Sequence, residues 1–284
     1  MELRFTKMQG LGNDFVVIDD RDGTWDMDPD AIVWMCDRHF GIGADGLILV
    51  RAATAPDADW ARTYFNADGT TAEMCGNGIR CLARWLLDRG LFSGEEVRIQ
   101  TLLGVQTVEV VPDDDGRTLF RVDMGEPVLE SALVPTTLGD PQVFESPLET
   151  AAGTVTVTTV SMGNPHAVIW VDDVDRAQVG VLGPLVENHP AFPRKTNVEF
   201  AELVSEDHIR LRVWERGVGE TLACGSGACA TLVAAVLSCR TGRSATIELP
   251  GGTMLVGWAP DGSVYMTGPA EEVFAGAIVI DDET

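Results

Sequence analysis

Two short segments of the sequence each contain a cysteine followed by a Gly-x-Gly run, and the two segments resemble each other. Cys75 begins the run Cys-Gly-Asn-Gly, and Cys224 begins the run Cys-Gly-Ser-Gly, 149 residues later (224 − 75). A helix-forming stretch follows each run. A cysteine at a helix N-terminus has a pKa lowered from about 8.5 to roughly 3.5–7.5. The sequence therefore predicts two reactive thiols, one in each half of the chain.

Two thiols that face one substrate carbon can invert its configuration. One thiolate removes a proton from one face, and the other thiol delivers a proton to the opposite face. The charge that develops needs stabilisation, which the first backbone N–H groups of two helices can supply to a substrate carboxylate. The residues expected to supply them are Gly76, Asn77, Gly225 and Ser226.

The cofactor and metal content is also predicted from residue types. Enzymes that use pyridoxal phosphate need a Schiff-base lysine, and Lys7 and Lys195 are the only lysines. Neither lies in a recognisable phosphate-binding segment, so cofactor-free chemistry is favoured. The spacings Cys-x5-Cys and Cys-x4-Cys do not match common zinc sites, so no metal is expected. Four further cysteines are predicted to be small core side chains: Cys36, Cys81, Cys229 and Cys239.

The charge and the apolar runs limit the kinds of partner. The net charge of −24 on 284 residues argues against nucleic acid and anionic membranes, which bind basic surfaces. The first residues do not resemble a signal peptide, and the most apolar run, 228–239, is too short to span a bilayer. We expect a cytoplasmic protein with reduced thiols and a small-molecule substrate.

The two halves of the chain repeat one order of elements. A Gly-Asn pair recurs at Gly12 and Gly163, and strand, turn, cysteine and helix recur together. The predicted class is α+β, with two pseudo-symmetric domains. Each is expected to be a curved sheet or barrel wrapped around a buried central helix, with the active site in the cleft between them. The domains are predicted at 1–122, joined by a last strand at about 271–284, and at 123–270.

Three helices and one long loop are predicted along the chain. The helices are expected at 29–38, at about 76–89 and at about 225–240, and Asp28 is the expected N-cap of the first. The helix after Cys224 is apolar on all sides, which is typical of a buried helix. The segment 184–195 carries three prolines and is predicted to be a loop.

Several long segments resemble those of the diaminopimelate epimerase family. They are Glu-Met-Cys-Gly-Asn-Gly-Ile-Arg-Cys at 73–81 and Glu-Arg-Gly-Val-Gly-Glu-Thr-Leu-Ala-Cys-Gly-Ser-Gly at 215–227. The opening segment 7–15 is also similar, as are 65–69, 163–166 and 196–199. The resemblance covers nearly the whole chain, and its motifs are long and in the family's order.

The resemblance implies a homodimeric enzyme that interconverts LL- and meso-2,6-diaminopimelate without a cofactor, on the route to lysine and peptidoglycan. Cys75 and Cys224 would be the acid/base pair, and His166 and the side chain of Glu215 would adjust proton transfer. The remaining residues that the resemblance assigns to substrate binding are Asn13, Asn66, Gly76, Asn77, Asn164, Asn197, Arg216, Gly225, Ser226 and the backbone of Glu215. Some relatives carry glutamine where this chain has Gly46, so that contact would be missing.

Three alternatives stay open at the level of sequence. A proline or hydroxyproline epimerase would have the same fold but would lack the asparagine and arginine set for the far end of the substrate. A redox protein would use Cys75 and Cys224 as a reversible disulfide. An amino-acid binding protein would differ from the enzyme only in lacking activity.

Overall fold

The computed structural model describes residues 2–71, 75–139 and 141–280. Glu73 and Met74 of the resembling segment lie outside the described residues, as do the last four residues of the predicted final strand. The chain divides into two compact units. Unit 1 comprises Met1–Val122 with Gly268–Thr284, and unit 2 comprises Asp123–Thr267.

The first half of the described chain contains two helices and seven strands. The helices are α1 (Pro29–Cys36) and α2 (Gly76–Asp88). The strands are β1 (Glu2–Gly10), β2 (Asn13–Asp19), β3 (Gly46–Ala52), β4 (Trp60–Asn66), β5 (Glu96–Thr101), β6 (Gly104–Pro112) and β7 (Thr118–Asp123).

The second half contains ten strands, two α-helices and a short 3-10 helix, Val174–Arg176, among its described residues. The helices are α3 (Val179–Glu187) and α4 (Gly225–Leu237). The strands are β8 (Ser146–Thr150), β9 (Gly153–Ser161), β10 (Pro165–Trp170), β11 (Asn197–Ser205), β12 (His208–Glu215), β13 (Gly219–Thr221), β14 (Ser244–Leu249), β15 (Gly252–Trp258), β16 (Val264–Gly268) and β17 (Glu271–Val279).

Strand pairing follows the same scheme in both units. In unit 1 the order is β17-β1-β2-β3-β4-β5-β6-β7, and the pairs β2–β3 and β4–β5 are parallel. In unit 2 the order is β8-β9-β10-β11-β12-β14-β15-β16, and the equivalent pairs β10–β11 and β12–β14 are parallel. The other neighbouring pairs along both orders are antiparallel. The predicted α+β class with a repeated unit is confirmed.

Each sheet wraps around one buried helix. α2 packs against β17 and β1 from one end of the strand order of unit 1 and against β6 near the other end. α4 packs against β9, β10, β11, β14 and β15 in unit 2. Strands far apart in the order can contact one helix only if the sheet curves around it.

The opposite face of each sheet is covered by the second helix of the unit. Side chains of β2 and β3 form one apolar cluster with Ile32 and Met35 of α1. Side chains of β10 and β11 form another with Val179 and Val186 of α3. Because helices cover both faces, the strands at the centre are apolar without alternation, as in Leu-Ile-Leu-Val of β3.

Local sequence signals set most helix boundaries. Asp28 caps α1, accepting the N–H of Asp30, and a proline occupies the first turn as predicted. Gly90 follows the end of α2 with a positive φ of 63°, which ends the helix as glycine commonly does.

Two local predictions are wrong. Pro184 lies inside α3, so only the residues after Glu187 form the predicted loop. Pro184 has no backbone N–H to donate within the helix, but the packing of α3 against β11 and β12 stabilises the helix despite that loss. Cys239 is exposed because α4 ends at Leu237 and the chain turns there with a positive φ of 54°. Cys36, Cys81 and Cys229 are buried as expected.

None of the described helices has both the length and the apolar character needed to cross a membrane.

A partly buried ion cluster joins the first hairpin of unit 1 to the segment that follows α1. Asp14 Oδ2 lies 2.7 Å from Lys7 Nζ, and Asp14 Oδ1 accepts from Arg38 Nη2 at 2.8 Å. Lys7 Nζ also donates to the Gly43 carbonyl. Burial opposes ionisation of Asp14, but Arg38 and Lys7 outweigh it and lower its pKa to about 2.

Asp14→Asn should therefore destabilise unit 1 at neutral pH, on the order of 2 kcal/mol. A carboxyl with a lowered folded-state pKa contributes stability above its unfolded pKa, here 3.8, and loses it as the pH falls toward 2. The difference in unfolding free energy between wild type and variant should shrink over that window in urea titrations. Asp88→Asn, which breaks only the surface pair with Arg84, should change stability by less than about 0.5 kcal/mol. A constant difference from pH 7 to pH 2 would contradict this account.

Candidate active site

Cys75 is the N-cap of α2. Its backbone is extended (φ −148°, ψ 101°), and its Sγ accepts the N–H of Gly78 at 3.3 Å. The Cys75 carbonyl accepts the N–H of Ile79 at 3.0 Å, which begins the helix. Gly76 and Asn77 lie in the first turn of α2, where backbone N–H groups have no acceptor inside the helix. They are the donors that a bound anion can use.

Cys224 caps α4 in the same way. Its backbone has φ −128° and ψ 110°, and its Sγ accepts the N–H of Gly227 at 3.4 Å. Its carbonyl accepts the N–H of Ala228 at 3.0 Å. The N–H groups of Gly225 and Ser226 are thus the equivalents of those of Gly76 and Asn77.

Glycine at the third position after each cysteine lets the thiol approach the helix closely. A Cβ at Gly78 would lie 3.2 Å from Cys75 Sγ and 3.3 Å from Ile48 Cδ1. A Cβ at Gly227 would lie 3.3 Å from Cys224 Sγ and 2.9 Å from Glu199 Oε1. The thiol therefore lies directly against the first turn of its helix in both units.

The prediction of a lowered pKa is wrong for Cys224. Burial of the thiol raises its pKa well above the usual value, and the negative charges of Glu215 and Glu199 raise it further. Hydrogen bonds from the Ser226 hydroxyl and the Gly227 N–H act in the opposite direction but are weaker. The helix N-terminus thus does not compensate for the desolvation of the Cys224 thiol.

In unit 1 a chain of hydrogen bonds connects the first turn of α2 with β2. Buried Arg80 donates to Asn77 Oδ1 at 2.9 Å. Asn77 Nδ2 donates to Asn13 Oδ1 at 3.1 Å, and Asn13 Nδ2 donates to Asp45 Oδ2 at 2.7 Å. Asn13 and Asn77 are therefore brought together beside Cys75. Asp45 Oδ1 also accepts from Arg38 Nη2 at 2.7 Å, so Asp45 connects Asn13 with Arg38.

Tyr64 occupies the space beside Gly46. A Cβ at Gly46 would lie 2.5 Å from the Phe65 carbonyl oxygen and 2.7 Å from Tyr64 Cε2. This backbone therefore has no room for a glutamine at position 46. The Tyr64 hydroxyl hydrogen-bonds the Cys75 thiol, and burial, followed by the neighbouring Cys75, raises the pKa of the phenol.

Arg62 and Asn66 lie on the same strand as Tyr64. The buried Arg62 guanidinium donates to the Cys75 carbonyl at 3.2 Å. Asn66 pairs with Gly46 across β3 and β4, and its Nδ2 donates to Thr70 Oγ1 at 3.0 Å in the following turn. Asn66 thus lies at the strand end that also carries Gly46.

In unit 2 His166 connects two predicted site segments. Its Nδ1 lies 2.6 Å from Glu199 Oε1, and its Nε2 lies 2.9 Å from Asn164 Oδ1. His166 and Glu199 are both fully buried, whereas Asn164 is partly exposed. Glu199 raises the pKa of Cys224, so this pair lies close to the thiol.

Asn197 holds the Glu215–Arg216 turn. Its Oδ1 accepts the backbone N–H of Arg216 at 2.9 Å, and its Nδ2 donates to the Pro165 carbonyl at 2.8 Å. The Thr221 hydroxyl donates to Glu215 Oε1 at 2.6 Å. The Arg216 side chain is exposed, and its Nη1 donates to the Arg194 carbonyl at 3.2 Å.

The side-chain carboxylate of Glu187 in α3 also holds the Glu215–Arg216 turn. Its Oε2 accepts from Trp214 Nε1 at 2.8 Å, and its Oε1 accepts the N–H of Gly217 at 3.0 Å. Lys195 Nζ lies 3.3 Å from Glu187 Oε1. Since Lys7 pairs with Asp14, both lysines are held in ion pairs.

The sequence did not assign a role to several charged or polar groups around the site. They are Arg62, Tyr64, Arg80, Glu187 and Glu199. Arg80 and Glu199 lie inside the resembling segments, and a charge within an apolar run such as Val-Glu-Phe is a signal that could have been used. Arg62, Tyr64 and Glu187 have no such signal, because only tertiary contacts bring them to the site.

Glu215→Gln should lower the pKa of Cys224, because it removes the larger of the two charges that raise it. Cys224 should then react several-fold faster with iodoacetamide near neutral pH. Peptide mapping by mass spectrometry separates Cys224 from the other cysteines. Glu220→Gln, which breaks an exposed pair with Arg212, is the control and should leave the rate unchanged. A slower reaction in Glu215→Gln would show the opposite electrostatic effect and contradict this assignment.

The same fold occurs in solved structures of low sequence identity. A hydroxyproline epimerase from Agrobacterium vitis, solved with bound trans-4-hydroxy-L-proline, superposes with a TM-score of 0.70 at 16% identity, over 99% of this chain and 92% of that one. A phenazine biosynthesis protein of the PhzF family from Bacillus anthracis gives 0.71 at 15% identity, over 99% and 100%. At this identity the likeness establishes the fold alone.

Sequence comparisons are more specific. The family model described as diaminopimelate epimerase matches residues 5–130 and 158–273. The diaminopimelate epimerase of Pelotomaculum thermopropionicum is 49% identical over 277 residues, covering 96% of this chain and 98% of its own. Diaminopimelate epimerase 1 of a Nostoc species is 51% identical over 284 residues, covering 98% and 100%. The resemblance seen in the sequence is confirmed, and this chain belongs to the diaminopimelate epimerase family.

Proposed function

We propose that this protein is a cofactor-independent epimerase that interconverts LL- and meso-2,6-diaminopimelate. It is an isomerase acting on an amino acid, in the supply of lysine and of peptidoglycan precursors. The observation that carries the proposal is the repeated cap, in which Cys75 and Cys224 occupy the same position at the N-terminus of equivalent buried helices. The chain's family membership identifies the substrate.

The two thiols exchange one proton each with the substrate carbon. The thiolate of one cysteine takes the α-proton, and the electron pair of the broken C–H bond passes into the α-carbon and its carboxylate. The thiol of the other cysteine then gives its proton to the opposite face, so that the stereocentre inverts and the second sulfur becomes the thiolate.

The reacting carboxylate is the proposed ligand of the first helix turns. The N–H groups of Gly76, Asn77, Gly225 and Ser226 are preorganised donors, and helix dipoles favour the charge that develops there. Asn77 is held in place by Arg80 and Asn13. These donors stabilise the carbanion-like transition state without a cofactor.

The far end of the substrate carries a second amino and carboxylate group. The proposed contacts are Asn13, Asn66, Asn164, Asn197, Arg216 and the backbone of Glu215. Arg216 supplies the fixed positive charge for the far carboxylate, which a guanidinium binds through two hydrogen bonds. His166 and the Glu215 side chain adjust proton transfer, and the effect of Glu215 on the pKa of Cys224 supports that role.

Three further proposals accompany this function. No pyridoxal phosphate is proposed, because Lys7 and Lys195 are the only lysines and neither lies in a recognisable phosphate-binding segment. The protein works in the cytoplasm, because a thiol pair of this kind needs a reducing compartment. It acts as a homodimer, as the sequence resemblance implies.

The alternatives are weaker. The relatives at 46–51% identity are diaminopimelate epimerases, whereas the hydroxyproline epimerase shares 16% identity. The asparagine and arginine set expected for the far end of the substrate is present in full. An amino-acid binding protein would lack turnover, and a redox protein would not exchange substrate protons.

Incubation of the reduced protein with LL-diaminopimelate in deuterated water tests the proposal. Deuterium should appear at one α-carbon while the meso isomer accumulates, because the proton delivered by the second thiol comes from solvent. Cys75→Ala and Cys224→Ala should each abolish turnover, and Cys239→Ala, which changes an exposed cysteine, should not. Absence of exchange by the reduced wild type would refute the enzyme, and an active single variant at position 75 or 224 would refute the two-base mechanism.

Arg216→Ala should raise the KM for diaminopimelate at least tenfold, equivalent to about 1.4 kcal/mol, because the far carboxylate loses its charged partner. Steady-state kinetics of epimerisation measure the effect. Arg243→Ala removes an arginine of the same unit that stacks on Trp258, and it should leave KM unchanged. Equal KM values for wild type and Arg216→Ala would exclude this role of Arg216.

A further inference from the structure

Glu187, the last residue of α3, is a buried carboxylate surrounded by groups that can only donate hydrogen bonds. Its Oε2 accepts the indole N–H of Trp214 at 2.8 Å. Its Oε1 accepts the backbone N–H of Gly217 at 3.0 Å and lies 3.3 Å from Lys195 Nζ. An indole N–H, a backbone N–H and an ammonium cannot accept, so the direction of all three contacts is fixed. Burial opposes ionisation of Glu187, but these three donors together outweigh it and lower its pKa.

The equivalent position of unit 1 carries no charge. Glu187 lies ten residues before Asn197, where β11 begins (197 − 187), and Cys36 lies ten residues before Gly46, where β3 begins (46 − 36). Cys36 also ends its helix, and it is a small buried side chain. In unit 1 the turn that follows β4 is closed by hydrogen bonds among its own residues. Because an uncharged side chain suits this position, packing alone does not explain the buried carboxylate of unit 2.

Two contacts of Glu187 hold the chain on either side of Arg216. Trp214 lies two residues before Arg216, and Gly217 follows it directly. Glu187 therefore spans the turn and restrains the backbone from which the Arg216 side chain extends. Asn197 accepts the N–H of Arg216 itself at 2.9 Å, so the turn has two side-chain supports.

The third contact of Glu187 holds the loop that the Arg216 side chain touches. Lys195 Nζ lies against Glu187, and the neighbouring carbonyl of Arg194 accepts from Arg216 Nη1 at 3.2 Å. The ion pair thus restrains the loop next to the residue whose carbonyl meets the guanidinium. Both the backbone of Arg216 and the acceptor of its exposed side chain are connected to one carboxylate.

We propose that Glu187 is a positioning residue that holds this turn and this loop so that the Arg216 guanidinium is kept in place for a substrate carboxylate. A guanidinium held in advance loses less conformational entropy when it binds. That the bound group belongs to diaminopimelate rests on the proposed function. The contacts of Glu187 do not rest on it, because all of them lie within unit 2 and are made by the protein alone.

Glu187→Gln tests the proposal with almost no change in volume. Glutamine offers one acceptor and one NH2 group, so an N–H group must face either the Trp214 indole or the Gly217 amide, which only donate. The turn should loosen, and the KM for diaminopimelate should rise about fivefold, equivalent to about 1 kcal/mol. The change in kcat should be smaller, because Arg216 holds the substrate in the ground state and in the transition state alike. An unchanged KM, including the case in which only kcat falls, would overturn the proposal.

The same substitution in an Arg216→Ala background shows whether Glu187 acts through Arg216. Without a guanidinium to position, Glu187→Gln should change KM by less than about twofold, so the two substitutions should be non-additive. Additive effects on KM would show that Glu187 acts by another route, and the proposal would then be wrong.

Hydrogen exchange followed by mass spectrometry examines the turn without substrate. Peptides covering 214–221 should exchange faster in Glu187→Gln than in the wild type, because the turn loses at least one of its bonds to α3. Equal exchange in the two proteins would contradict the proposal. This measurement stands even if the protein has no epimerase activity, so the two proposals fail separately.

Glu202→Gln is the matched control. The Glu202 carboxylate also accepts a backbone N–H, from Val174 at 2.9 Å, and a cationic side chain, Arg210 at 3.2 Å, in the same unit. The same substitution there should leave KM and the exchange of 214–221 unchanged. Changes equal to those of Glu187→Gln would overturn the specific role of Glu187.

If Glu187→Gln does not fold, Trp214→Phe takes its place. It removes the N–H that Glu187 accepts but keeps an aromatic ring against α3, where a Cβ at Gly183 would lie 2.5 Å from Trp214 Cγ. KM should rise in this variant, and the rise should disappear in the Arg216→Ala background. An unchanged KM in Trp214→Phe, or a rise that persists without Arg216, would overturn the proposal.

Discussion

The organisation of both units depends on one interaction, the hydrogen bond from a helix N–H to the sulfur of the cysteine that caps the helix. Gly78 donates to Cys75 and Gly227 donates to Cys224 at nearly equal distances, 3.3 and 3.4 Å. The cap fixes the thiol beside the unpaired N–H groups of the first turn. A glycine at the third position lets the sulfur lie against the helix, and the curved sheet buries the helix itself.

Burial of α4 stabilises the helix in its sheet, but it also makes ionisation of the Cys224 thiol at the helix N-terminus less favourable. At Cys224 the loss of water and the carboxylates Glu215 and Glu199 dominate over the donors of the helix N-terminus, so the pKa rises instead of falling. General expectations for cysteines at helix N-termini apply to partly exposed thiols. For a buried thiol such as Cys224, desolvation is the largest influence on the pKa, and neighbouring charges add to it.

The two units place side chains of different polarity at equivalent buried positions. Unit 1 has Phe15 and Ile48 where unit 2 has His166 and Glu199, and Tyr64 fills the space beside Gly46 and reaches Cys75. The two units thus keep the same strand pairing, although unit 1 has apolar side chains at these two positions and unit 2 has a buried histidine and glutamate.

The sequence by itself determined the repeat, the α+β class, the two cysteine caps and the family, because each depends on residues that are close in the chain or recur at a fixed spacing. It also placed Asn13, Asn77, Asn164, His166 and Asn197 in the candidate site. Only the tertiary structure decided the direction of the pKa shift of Cys224, the helix through Pro184, and the contacts of Arg62, Tyr64, Glu187 and Glu199. These depend on desolvation and on contacts between distant strands and helices, and neither local propensity nor spacing encodes such contacts.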